Sequence, residues 1–324
     1  MMLRAVSIFG LPWPTDLLPP AFHKLLSPNM ALEKDVVVVT GCGGMGIAIA
    51  RRVGSGSLII LADYSQTMLE RAVHALREEG HGVEGVQTDV ADLSAVKKLA
   101  LHAAGLGSIR VVVHTAGVAM NQAAPSRIYH VNLLGTANVI EAFYPLATAG
   151  TSLVAISSAA GHRIQGTLSP GFERHLATAP LQTLLQHADF PAGVFDSVAE
   201  SADQRSRTSA YTVSKRANIL RVQASAPLWA SKGARINSVS PGVVLSNMMK
   251  EELEGPAASI LRKSIDRTPA GRMGTTADIA NAVAFLCSRD AVFVTGSDLL
   301  VDGGLTGLNL WGNGGLDSSS KSNI

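Results

Sequence analysis

The stretch SAYTVSK places Tyr211 and Lys215 four residues apart. On a helix, residues at that spacing stand one turn apart on the same face. A free phenol titrates at about pH 10 and is a poor base at neutrality. A lysine ammonium beside it favours the phenolate and draws that value down. Such a pair can pass a proton to or from an oxygen atom, which hydride transfer between a nicotinamide and a carbonyl carbon requires. The same spacing also occurs on ordinary exposed helices, so its meaning depends on what the rest of the chain brings to it.

The first half of the chain reads as a nucleotide-binding unit. Residues 35–40, DVVVVT, form an apolar β-branched run, as expected of a strand covered on both faces. GCGGMG (41–46) follows, then IAIARRVGSG, a helix predicted to end near Gly54. In this strand-to-helix setting G-x-G-x-x-G carries a mechanism. Gly41 permits the tight turn, Gly43 lets a pyrophosphate approach the backbone, and Gly46 allows close helix packing. The N–H groups at the helix start, at Gly44 and Met45, supply an anion site. The next apolar run, SLIILAD, ends in Asp63, 22 positions after Gly41, close to the spacing at which an acid binds the ribose 2′-hydroxyl. Neither Cys42 nor Tyr64 is basic, no cation is evident for a 2′-phosphate, and Asp63 would repel one. NAD is therefore expected as the cofactor, with NADP possible.

Helices near 65–79 and 92–104 and strands near 83–88 and 109–117 continue the alternation. Repeated βα units with apolar strands predict an α/β fold, a single Rossmann-like doubly wound parallel sheet with helices on both faces. The 324 residues are 47% hydrophobic and 16% charged, ample for a sizeable core. A net charge of +2 without a long basic run argues against nucleic acid or an anionic membrane as a partner. Two cysteines, Cys42 and Cys287, make no disulfide framework, and no apolar run is long enough to span a bilayer, so a soluble cytoplasmic protein is expected. Residues 1–32, with five prolines before Met30, read as a surface arm. Residues 33–306 form the main domain, and 307–324, rich in Gly, Asn and Ser, read as a flexible tail.

A series of motifs in order resembles the short-chain dehydrogenase/reductase family over roughly 33–306. TGCGGMG resembles its cofactor loop, one residue shorter than the common form. TDVAD (88–92) is similar to the segment contacting adenine, which points to Asp89 and Val90. HTAG (114–117), with Ala116 and Gly117, stands where the family usually has N-N-A-G. VNLLG (131–135) matches the segment of the catalytic asparagine, Asn132, and AISSAAG (155–161) that of the serine, Ser158. YTVSK matches the tyrosine–lysine pair. NSVSPGVVLS (237–246) resembles the segment beside the nicotinamide, with Pro241, Gly242, Val244 and Ser246, where a threonine is commoner.

The resemblance implies roles. Tyr211 is the acid/base, Lys215 lowers its pKa and binds the nicotinamide ribose, Ser158 holds the substrate oxygen, and Asn132 holds a water that passes protons toward Lys215. It also implies a homodimer or homotetramer built on long helices that include 132–148 and 211–231. Other candidates carry less. His162, His175 and His187 lack metal-ligand spacing, so no metal is expected, and Cys42 reads as a small residue in a crowded loop. No G-x-S-x-G elbow surrounds Ser157 or Ser158, which argues against a hydrolase.

Ser158 and Tyr211 are 53 positions apart, far more than the family norm. About forty residues have been added between them, within 162–208, and LQTLLQHADF there is apolar at helical spacing. Leaving the serine and returning at the tyrosine, this insertion is expected to form a partly helical lid over a bulky, apolar small-molecule substrate; an oligomer contact is the alternative. Hydroxysteroid dehydrogenase/carbonyl reductase members carry a comparable insertion at this point. The expected function is interconversion of a secondary alcohol and a ketone on a steroid-, terpenoid- or polyketide-like substrate. Imine reduction, epimerisation or cyclisation on the same scaffold is an alternative, and a non-catalytic nucleotide-binding protein is another.

Overall fold

The computed structural model describes residues 34–195, 204–246, 253–254 and 258–312. The expected arm at 1–32, residues 196–203 of the insertion and the chain from 313 onward lie outside the described residues.

Seven strands form the main sheet: β1 (Asp35–Thr40), β2 (Leu58–Asp63), β3 (Val83–Gln87), β4 (Ser108–His114), β5 (Ser152–Ile156), β6 (Arg235–Pro241) and β9 (Asp298–Val301). Their order is β3-β2-β1-β4-β5-β6-β9 and every neighbour is parallel. A separate two-residue pair joins β7 (Val244–Leu245) to β8 (Gly274–Thr275). From β1 the chain steps outward through β2 and β3, then crosses back to lay β4 on β1's other side. Strand order reverses between β1 and β4, and ligands of such sheets bind beyond the carboxyl ends of the strands at that switch point. The expected doubly wound parallel sheet is what the chain forms.

Alternate strand residues face opposite helical layers. Val36, Val38 and Val112 pack under α3 (Leu93–Leu106), α5 (Gly135–Phe143) and α8 (Gln204–Ala230), with Trp229 fully enclosed. Val37, Val39 and Val113 pack under α1 (Gly44–Val53), α2 (Gln66–Glu78) and α10 (Thr276–Cys287). Both faces are covered, which is why these strands read as continuous Val/Ile/Leu runs rather than alternating ones.

Three local features depart from the expected elements. The helix expected over 132–148 is composite: α4 (Pro125–Ile128), a π-helical turn (Tyr129–Leu134), α5 and a 3₁₀ turn (Tyr144–Leu146). In the insertion, α6 (Ala159–Arg163) follows Ser158, and the main helix is α7 (Pro170–Thr178), not LQTLLQHADF. Ser169 caps α7, and Pro170 at its first position has the φ a helix start needs. LQTLLQHADF instead winds into consecutive turns, with Thr183 N–H bonded to Pro180 O and Gln186 N–H to Thr183 O. Apolar residues three apart suit such turns as well as they suit a helix. Residues 307–311, expected as tail, belong to α11 (Leu305–Trp311). Gly303 and Gly304 turn the chain at positive φ, and Asp302 accepts the N–H groups of Gly304 and Thr306 at its start.

Candidate active site

The expected site residues collect along the carboxyl edge of the sheet. Gly41 takes φ +90°, and a Cβ there would lie 2.6 Å from Ala116 N, so only glycine lets the β1 loop pass the β4 loop. A Cβ on Gly46 would sit 1.9 Å from Gly41 O, which explains the close helix packing. Gly43, by contrast, faces open space. Helices α2, α3, α6, α7 and α10 are capped by Ser65, Asp92, Ser158, Ser169 and Thr275, whereas α1 has neither a side-chain cap nor an acidic residue in its first turn. An open glycine cradle before uncapped N–H groups at Gly44 and Met45 fits the pyrophosphate of a dinucleotide. Ser246 stands across this cradle, its Cβ 3.9 Å from where a Cβ of Gly44 would be.

Asp63 closes the far side of the loop. Its carboxylate accepts from Cys42 N at 2.6 Å and from Ser65 N at 2.8 Å, so the acid is fixed at the end of β2. The Cys42 thiol, buried beside that charge, is pushed up to about 12, which rules out thiolate chemistry near neutral pH and leaves a packing role. Asp89 accepts from Ala91 N at 2.9 Å and pairs with Arg127 Nη2, also at 2.9 Å. The guanidinium carbon of Arg127 lies 5.5 Å from the centre of the exposed Tyr64 ring. Arg127 is a cation beside Asp89 and Tyr64 that sequence reasoning missed, because it is supplied by α4, 64 positions beyond Asp63. Val90 is buried in the core and offers its carbonyl to Asn138 Nδ2.

The residues expected to handle the proton are held by β5 and α8 together. Lys215 Nζ donates to Ile156 O at 3.1 Å, and Ser157 Oγ donates to Lys215 O at 2.7 Å, so one residue is stapled to the strand end at both its side chain and its backbone. A Cβ on Gly161 would lie 2.8 Å from Arg216 N, so α6 runs directly against α8 and carries Ser158 with it. Ser158 Oγ accepts from Ala160 N at 3.1 Å, which leaves its proton to donate. Lys215 is buried, and that burial draws its pKa from 10.5 to about 8.

Asn132 joins the same group from the π-helical turn. Its Oδ1 accepts from Val118 N and its Nδ2 donates to Val118 O, each at 2.9 Å. A Cβ on Gly117 would stand 3.1 Å from Asn132 Oδ1 and 3.7 Å from Lys215 Nζ, so Gly117, Asn132 and Lys215 meet at one point. The Asn132 amide is thus anchored to the backbone of Val118, and its backbone carbonyl accepts from Thr136 Oγ1 at 2.8 Å. Pro241 ends β6, Gly242 passes within 2.7 Å (as a Cβ) of Asp302, and Val244 pairs with Gly274 in β7–β8. The three histidines do not converge: His175 and His187 are 4.7 Å apart, and His162 bonds Asp298 at 2.8 Å.

The insertion folds back on this framework. Phe172, Leu176, Leu184 and Phe190 are buried against Tyr129 and Leu133 of the π-helical turn and against Val213 of α8. The Tyr211 ring packs at the edge of this apolar cluster. Glu173 pairs with Arg216 at 2.8 Å, and Arg221 donates to Ala179 O at 2.6 Å, fastening the insertion along α8.

Comparison with known proteins agrees with this geometry. Residues 35–170 match the family described as short chain dehydrogenase, and 192–306 that described as enoyl-(acyl carrier protein) reductase. The chain is 34% identical over 273 residues to the short-chain dehydrogenase/reductase bsc3 of Alternaria brassicicola, covering 84% of this chain and 96% of that one. It is 31% identical to 2-(S)-hydroxypropyl-CoM dehydrogenase 3 of Xanthobacter autotrophicus, over 86% of this chain and 98% of that one. Among solved structures, actinorhodin polyketide ketoreductase with NADPH superposes with a TM-score of 0.64 at 22% identity, over 84% and 97% of the two chains, a likeness of fold. With its strand order reversing beside an open glycine loop, and with a relative at 34% identity across most of both chains, the chain belongs to the short-chain dehydrogenase/reductase family.

Proposed function

We propose that this enzyme interconverts a secondary alcohol and a ketone, with Tyr211 as the acid/base at the substrate oxygen and NAD as the dinucleotide. The observation that carries this reading is the placement of Lys215, buried, bonded to Ile156 O, its Nζ 5.7 Å from the centre of the Tyr211 ring. An ammonium held there favours the phenolate, and Ser158 has a proton to donate to the substrate oxygen. When bound, the nicotinamide accepts or supplies the hydride. The cradle at Gly43–Gly46 takes the pyrophosphate, Asp63 takes the ribose hydroxyls, and Asp89 with Val90 borders the adenine. Gly117, Pro241, Gly242 and Val244 flank the nicotinamide. The relative from Xanthobacter autotrophicus is named for a 2-hydroxypropyl group, a secondary alcohol, which supports this class of substrate.

The preferred substrate is bulky and apolar, because the insertion leaves from Ser158, folds as an apolar body, and borders the Tyr211 ring. It also covers part of the π-helical turn and of α8, so any dimer or tetramer built on those helices must accommodate it. Among the described residues no helix is long and apolar enough to cross a membrane, which is in keeping with a cytoplasmic enzyme.

The test is a screen of hydroxysteroids and bulky cyclic alcohols with NAD and NADP, run beside Tyr211→Phe. Turnover that survives the substitution refutes the mechanism, and faster turnover with NADP refutes the reading of Asp63. Deleting 165–205 separates lid from interface: unchanged turnover of bulky ketones with lost assembly would assign the insertion to oligomer contact.

A further inference from the structure

His114 is a buried histidine at the end of β4 where the family usually carries asparagine, and the mechanism above makes no use of it. It pairs in register with Thr40 of β1. Its Nδ1 lies 2.7 Å from Thr40 Oγ1 and its Nε2 3.1 Å from Thr136 Oγ1. Thr136 Oγ1 in turn donates to the backbone carbonyl of Asn132 at 2.8 Å.

These contacts admit one direction. A carbonyl only accepts, so the single Thr136 proton is spent on Asn132 O, and Thr136 Oγ1 must accept from the histidine. Nε2 therefore carries the proton of the neutral ring, and Nδ1 is bare and accepts from the Thr40 hydroxyl. Burial and the nearby Lys215 ammonium keep the ring neutral, its pKa drawn down to about 3. An asparagine also has one donor and one acceptor end, but its amide is shorter than the imidazole that here spans two hydroxyls on different elements.

The far end of the string is the backbone carbonyl of Asn132, which accepts the Thr136 proton. Asn132 sits in a π-helical turn, a feature that recurs at functional sites because it displaces a backbone group from the regular ladder. Its amide is gripped by Val118, and Gly117 brings it to Lys215.

We propose that His114 is a positioning residue: through Thr136 it orients the Asn132 carbonyl, and so the water that carries protons to Lys215. The proposal rests on the reading of Tyr211 and Lys215 as the acid/base pair, but its first test does not. In two-bond ¹H–¹⁵N correlation spectra, with His114 assigned by its loss in His114→Asn, His114 shows the neutral Nε2–H tautomer throughout pH 5 to 8. An Nδ1–H tautomer, or a titration at about pH 6.5 as for a free histidine, overturns the proposal.

The second test reads the reaction, on an alcohol that the screen identifies. Thr136→Val removes the hydroxyl at nearly constant volume. It lowers kcat by about tenfold, a part of what a proton-transfer path supplies, and alters the pH profile of kcat while KM for the dinucleotide is unchanged. Thr136→Ser restores both. A Thr136→Val enzyme that melts earlier but keeps wild-type kcat and pH profile overturns the proposal. If Tyr211→Phe remains active, the assigned mechanism fails while the His114 spectra stand, so the two failures are distinct.

Discussion

The Nζ of Lys215 lies 5.7 Å from the centre of the Tyr211 ring while it donates to Ile156 O, so the lysine serves the strand end and the phenol at once. Burial costs its charged form, and the pKa falls from 10.5 to about 8. A base whose pKa is lower folded than unfolded is a burden on the fold wherever its proton is forced on. That burden is full below pH 8 and fades between 8 and 10.5, where the unfolded chain binds the extra proton. Wild-type stability therefore rises relative to Lys215→Met across that window, by up to about 3 kcal/mol. Urea unfolding of both proteins from pH 7 to 10.5 measures the difference; a constant gap would mean that Lys215 is not held as a buried ammonium.

At the other end of the site, Arg127 sits between Asp89, at 2.9 Å, and the face of Tyr64. Asp63, next to Tyr64 in the chain, is fixed by two backbone N–H groups. Asp63→Ser removes the charge that opposes a 2′-phosphate and leaves Arg127 near it. NADP should then bind more tightly by about two- to fivefold, the scale of one surface ion pair, while NAD binds less well. Adding Arg127→Ala should cancel the gain for NADP without further loss for NAD. Dissociation constants from quenching of intrinsic fluorescence check both; NADP binding that persists in the double variant would assign the phosphate to another cation.

The βα alternation, the glycine loop, Asp63 and the 211–215 pair could be read from sequence because each depends on neighbours within a few residues or on a strand-to-helix junction. Arg127, Thr136 and the partner of Asp298 could not, because each is set by a crossing of elements distant in the chain. The π-helical turn at 129–134 was hidden for a related reason: winding by one extra residue leaves the apolar pattern of Ile128, Val131 and Leu133 intact. LQTLLQHADF misled because apolar residues three apart serve a run of turns and a helix alike, and only the capped start at Ser169–Pro170 distinguished the true helix. His114 was visible as a departure from the family pattern, but its meaning needed the two threonines that the fold brings to either side of its ring.

Phe190 holds the insertion together. It is buried, its ring edge-on to Tyr129 and Phe172 at 5.0 Å each and to Phe195 at 5.4 Å. Truncating such a side chain costs about 3 kcal/mol or more, through lost burial and the cavity left behind. The parallel sheet has its own core on both faces, so the loss in Phe190→Ala should fall on the insertion and the turn beneath it. Amide exchange should quicken across 163–195 and at Tyr129–Leu134, with β1 and β2 unchanged. If the insertion shapes the substrate site, KM for bulky alcohols rises while dinucleotide binding, carried by the glycine loop and Asp63, stays as it was. Equal losses in both would mean that Phe190 supports the whole domain, and unchanged KM with quickened exchange would remove the insertion from the substrate site.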